Sequence, residues 1–167
     1  MSQEILSKLN TSHVEEISSS MNEPEWLKNY RKNSLSIYDG LPIETSPLYN
    51  KYTDAKKMDP EKVSLSNTTA ETVPAFLKKR LGELENEICI IQIGTNIHRI
   101  NLPEELKSKG LVISSISDAI QNNFELVKKA LEASDSGDDK FTALNNAAFN
   151  SGIFIHIPRN FILDKPI

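Results

Sequence analysis

The stretch Gly-Ile-Phe-Ile-His-Ile-Pro-Arg-Asn-Phe-Ile-Leu-Asp-Lys-Pro-Ile, residues 152–167, constrains the fold more than any other part of the chain. Ile153 to Ile157 reads as an apolar strand. Pro158 stops it, because proline offers no N–H to a ladder, and a second strand is expected from near Phe161. Fresh strand edges carry unpaired N–H and C=O groups that invite association, so a finished domain rarely closes on them. The expectation is that these 167 residues are the front part of something longer. Just upstream, residues 140–150 have the spacing of a short amphipathic helix running into Gly152.

The rest of the chain divides into three stretches. Residues 1–21 read as a polar helical arm rich in Ser and Glu, with a thin apolar stripe at Ile5, Leu6, Leu9, Val14 and Ile17; its two serine clusters predict a mobile arm. Residues 22–73 hold a helix that starts at Asn22-Glu23-Pro24 and ends at Gly40-Leu41-Pro42. Its apolar and aromatic face is Trp26, Leu27, Tyr30, Leu35 and Tyr38. An extended connection rich in Pro, Ser and Thr follows, with Tyr49 and Tyr52 as its anchors, since each offers a large ring with a polar tip. Residues 74–151 predict an α+β subdomain: a helix after Pro74, two strands about Gly94-Thr95-Asn96, a short helix at Glu104 to Leu106, a strand at Gly110 to Ile113, and a capping box at Ser115 and Asp118 that opens further helices.

Chemistry is sparse. The six glycines stand alone, so there is no Gly-rich phosphate cradle, and no Gly-x-Ser-x-Gly elbow presents a serine nucleophile. His13, His98 and His156 lie far apart, without metal-ligand spacing. His156 reads as a packed strand residue and Cys89 as a small buried hydrophobe. A single cysteine allows no internal disulfide, which suits a reducing compartment. Net charge is −4, and the basic residues come in dispersed groups such as Lys78-Lys79-Arg80, so no concentrated nucleic-acid face is present. No apolar run approaches a membrane span and no signal peptide opens the chain; a soluble cytoplasmic protein is expected. A binding module using the face from Trp26 to Tyr38 with the Tyr49/Tyr52 loop stays open, as does a small enzyme built on Cys89, His98 and His156.

Two stretches say more. The first carries Glu23 to Trp26, Leu41-Pro42, Glu44 and Tyr52-Thr53. The second carries Phe141, Ala143-Leu144-Asn145, Gly152, the strand 153–157 with Pro158, and Lys165-Pro166-Ile167. With the intervening Gly-Leu-Val-Ile-Ser-Ser-Ile-Ser-Asp-Ala-Ile at 110–120, the chain resembles the SufB/SufD family of SUF-system iron–sulfur cluster assembly proteins. The resemblance implies an α+β N-terminal region of helices and a small mixed sheet leading into a right-handed parallel β-helix, whose core would begin at 152–167 and be cut short. It implies a non-enzymatic scaffold domain that meets a SufB/SufD paralogue and a SufC-type ABC ATPase through regions beyond Ile167, with no cofactor held in this segment. Asp164-Lys165-Pro166-Ile167, and the lack of an N-terminal cysteine motif, point to the SufD side. β-Helix ends need caps, and the helix 140–150 is the expected plug, with Phe141, Leu144, Ala148 and Phe149 against the first rung. Open edges at 153–163 leave room for a homodimer.

Overall fold

The computed structural model describes residues 9–42, 73–84, 87–134, 137 and 139–167. In chain order its elements are α1 (Thr11–Ser20), α2 (Glu25–Gly40), α3 (Ala75–Glu83), β1 (Cys89–Ile93), β2 (Asn96–Asn101), α4 (Glu104–Ser108), β3 (Val112–Ser115), α5 (Ile116–Asn122), α6 (Phe124–Glu132), α7 (Lys140–Ala148) and β4 (Ile153–His156). They fall into two compact units, one formed by 1–65 with 128–150, the other by 66–127 with 151–167. Helices with small antiparallel sheets make this an α+β fold, as expected.

The first unit is helical. Asn10 caps α1 reciprocally: its side chain accepts from the His13 N–H at 3.2 Å, and His13 Nδ1 accepts from the Asn10 N–H at 3.3 Å. Val14 has no exposure and Leu9 and Ile17 have 6%, so residues 9–20 pack into this unit where the serine-rich sequence predicts an arm. Three buried side chains per three turns are enough to hold a helix whose other faces are polar. The helix ends on Asn22, which takes a positive φ of 51°, while Asn22 N–H donates to Ser19 and Glu23 N–H to Ser18. This is a Schellman-type stop, with Asn where Gly is commoner, and Pro24 then starts α2 in a new direction.

Helix α2 buries Leu27, Arg31, Ser34, Leu35 and Tyr38, residues spaced at three and four. Against it lies α7, whose Ala143 and Ala147 have no exposure; side chains this small let two helices approach closely. Leu9, Val14, Leu35, Tyr38, Ala143 and Ala147 form the core, with Ile37, Leu144 and Ala148 packed around it. Lys140 closes the C-terminal end of α2. Its ammonium donates to the carbonyls of Tyr38 and Leu41 and stands 4.2 Å from the centre of the Tyr38 ring. The last carbonyls of a helix have no partner within it, and a cation there also meets the negative end of the macrodipole.

The second unit holds the sheets. β1 and β2 form the expected hairpin, with Gly94 at φ 61° in the turn and a bulge between Ile91 and Gln92. β3 pairs antiparallel with β4, placing Ser115 opposite Ile153 and Val112 opposite His156. Ser115 ends β3 and caps α5: its hydroxyl accepts from Asp118 N–H at 2.9 Å and donates to the Asp118 carboxylate at 2.6 Å. The core gathers Leu102, Leu111 and Ile113, with Ile88, Ile90, Ile100, Leu106, Phe161 and Leu163 around it.

Two expectations about the last residues change. The strand expected from Phe161 does not form. Beyond Pro158 the chain turns, with Phe161 N–H on the Pro158 carbonyl and Asn160 at φ 63°, and then lays Phe161 and Leu163 onto the core without ladder pairing. The pairing of β4 also differs from a parallel rung: among the described residues both sheets are two-stranded and antiparallel.

Candidate interaction surface

In the helical unit the feature the sequence pattern hides is Arg31. It stands four residues from Leu27 and four from Leu35, inside the apolar stripe of α2, and it has no exposure. A lone buried guanidinium is prohibitively costly, so it must be paired and hydrogen-bonded. Its Nε and Nη2 donate to the two carboxylate oxygens of Glu23 at 2.8 and 2.6 Å, a bidentate pair in which both side chains are fully buried. Nη1 donates to the Ala147 carbonyl at the end of α7 at 3.3 Å, and Nη2 approaches Met21 Sδ at 3.7 Å. The ring of Phe149 covers the guanidinium, 3.8 Å from its carbon to the ring centre. One side chain thereby ties the α1–α2 turn and α2 to the C-terminal turn of α7. A signal for this was present in the sequence: a charge at a core position of a helix, with an acid just before the helix starts.

The residues singled out from sequence divide unevenly. Tyr30 is half-buried and its hydroxyl donates to the Leu131 carbonyl at 3.2 Å. Burial pushes its phenol pKa up, partly offset by the neighbouring Arg31 charge. Trp26 is half-buried, and its enclosed indole N–H finds no partner among the described residues. Phe141 is half-buried, Leu144 joins the helical core, and Phe149 covers Arg31. Asn145 is exposed, whereas its neighbour Asn146 is 3% exposed and faces the interior. Tyr49 and Tyr52 lie outside the described residues.

The groups with reactive chemistry do not assemble. Cys89 is buried and its thiol donates to the Leu84 carbonyl at 3.8 Å. The register places Cys89 opposite Asn101, His98 sits exposed on β2, and His156 lies on β4 in the other sheet. Among the described residues no group of three or more His, Cys, Asp or Glu could hold a metal. No helix among them is long and apolar enough to cross a membrane.

What the second unit offers is a surface. Along β4 and the residue just past its end, Phe154 is 8% exposed, while Ile153, Ile155 and Ile157 are 38%, 43% and 48% exposed. Alternation puts the three isoleucines on one side of the strand. Ile162 stands 84% exposed shortly after. β3 occupies one edge of β4, and among the described residues no strand pairs with the other. An apolar row beside an open edge is the usual mark of an association surface.

Comparison with known proteins fits this arrangement. A family model described as the SufBD protein N-terminal region matches residues 3–167. A protein named iron-sulfur cluster assembly SufBD family protein from Staphylococcus aureus strain USA300 is 31% identical over 165 residues, covering 92% of this chain and 36% of the relative. A protein of the same description from Staphylococcus saprophyticus is 30% identical over 170 residues, again covering 92% of this chain and 36% of its own length. The chain thus spans about a third of these relatives. With a match from one end of the helical unit through β4 to the last residue, the chain belongs to the SufBD family of iron–sulfur cluster assembly proteins, in its N-terminal region.

Proposed function

We propose that the chain is the N-terminal domain of a SufD-like subunit in the SufBCD scaffold, with a structural and interaction role and no catalysis of its own. The observation that carries this is the isoleucine row along β4, a strand with one edge unpaired among the described residues, in a chain matched by the family's N-terminal region. β4 and its apolar row would seat the first rungs of a β-helix core, which cannot bury their faces alone and need stacked neighbours. Iron–sulfur clusters would be cargo of the complex, built by partners and by chain regions outside this segment. The partners would be a SufB/SufD paralogue and a SufC-type ATPase, in the cytoplasm. Helix α7, on which Phe141 is half-buried, remains the element proposed to plug the β-helix end.

The adaptor alternative has less support. Leu27, Leu35 and Tyr38 on the α2 face are buried, and the Tyr30 hydroxyl is engaged inside the same unit. Anaerobic immunopurification from the source cell, with intact masses of everything recovered, separates the two readings. Recovery with an ABC-type ATPase and a paralogue is expected. A lone species at the 18.7 kDa of this chain would overturn the scaffold reading and favour the adaptor.

A further inference from the structure

We propose that α3 is a docking helix for an acidic protein surface that carries an apolar socket. The inference goes beyond the scaffold role, since it concerns a different element from β4 and a different chemistry. Helix α3 has nine residues, none of them buried. A helix this short is marginal in water by itself. It starts at Pro74 without a side-chain cap bond and has no acid in its first turn. Its visible support is on one side: Leu77 and Leu81 are half-buried, and Arg99 Nη2 donates to the Leu81 carbonyl at 3.1 Å.

The other side sets an exposed ring beside exposed cations. Phe76 is 81% exposed, and Lys79 and Arg80 follow it at three and four residues, both exposed. Lys78 adds a third exposed cation, while Glu83 pairs Arg80 at 3.5 Å only loosely. An aromatic ring flanked by cations has the composition of an interface anchor. The chain as a whole is acidic, at −4, so this is a local reversal of sign that a complementary partner would read. Three cations with an acid among them make a poor phosphate-tracking face, and one ring gives little membrane anchorage. A protein surface with Asp and Glu around a pocket for Phe76 meets these features together: the pocket takes the ring, and the carboxylates take Lys79 and Arg80.

The test places a benzophenone side chain at position 76 of the full chain in its source cell, with Gln92, exposed on the β1 hairpin, as the control position. The expected result is a protein adduct whose crosslinked peptide is rich in Asp and Glu. Its yield should fall by about tenfold in the Lys79→Glu, Arg80→Glu variant and on raising salt from about 0.1 M to about 0.5 M, where exposed charge pairs are screened. The thermal midpoint of the charge-reversed chain should be unchanged, since neither side chain is buried. Adducts with lipid or nucleic acid, adducts insensitive to charge reversal, or a yield no higher than at position 92 would each overturn the proposal.

Discussion

The Arg31 guanidinium sits over the Phe149 ring, its carbon 3.8 Å from the ring centre, while the same guanidinium grips Glu23 with two hydrogen bonds. Removing one member of a buried pair strands the other charge, which costs about 3–5 kcal/mol, whereas replacing both by apolar residues of like volume is often neutral. Glu23→Leu and Arg31→Met should therefore each cost about 3–5 kcal/mol, and the two together far less than their sum. A double-mutant cycle by urea denaturation checks this. If the single changes cost under about 1 kcal/mol, the pair is not the tie that the geometry describes.

That pair shows where sequence reading stops. Leu9, Val14 and Ile17 of the α1 stripe (its Ile5 and Leu6 lie outside the described residues), the α2 boundaries at Pro24 and Leu41, the Gly94 hairpin and the Ser115 cap were all legible, because periodicity, proline and capping chemistry act within a few residues. Arg31 was legible only as a charge at a core position; its partners come from Glu23 and from residues 147–149, and such a charge reads as solvent-facing until those partners are known. The end of the chain misled for a related reason. Phe161 and Leu163 have the alternation of a strand, but the core they cover lies on a different stretch of chain, and the Pro158 turn sends them there. The reactive candidates Cys89, His98 and His156 could be named from sequence, but which of them share an element depends on strand register.

Asp139 provides a prediction in pH. Its carboxylate accepts from Thr142 Oγ1 at 2.6 Å and from Phe141 N–H at 2.8 Å, and these bonds, Thr142 first, hold its pKa below the usual carboxylate value. A pKa lowered by folding contributes stability that is present above the unfolded value and is lost as pH falls through the folded one. Asp139→Ala should cost about 1 kcal/mol near neutral pH, the usual worth of an N-cap. Below the folded pKa that difference should shrink, so the two melting curves converge in acid. Parallel curves down to about pH 2 would mean the carboxylate does not cap α7 as its ionised form.

Gly110 is a backbone requirement. Its φ is 91°, a region that side chains rarely adopt, and an added Cβ would stand 3.1 Å from Pro158 Cγ. Gly110→Ala should destabilise by about 1 kcal/mol or more through the strained backbone. Adding Pro158→Ala should relieve the contact but not the strain, so most of the loss should persist in the double variant. Full recovery on that second change would locate the cost in the contact alone.

The isoleucines of β4 separate folding from assembly. Phe154 carries the inward packing of the strand at 8% exposure, while Ile155 and Ile157 keep nearly half of their surface in solvent. Exchanging exposed apolar side chains for polar ones away from a core usually changes stability by well under about 1 kcal/mol. Ile155→Ser with Ile157→Ser should therefore leave most of the thermal stability in place and lower any self-association of the chain, read by sedimentation velocity. In the source cell the same pair of changes should reduce recovery with the proposed scaffold partners severalfold, because an apolar row of this kind draws its binding free energy from burial. Phe154→Ser reverses the pattern: it should unfold the β3–β4 sheet by removing a buried side chain, a loss of about 3–5 kcal/mol. If the two isoleucine changes destabilise the chain as much as Phe154→Ser does, the row belongs to the core of this unit and the docking role assigned to it fails.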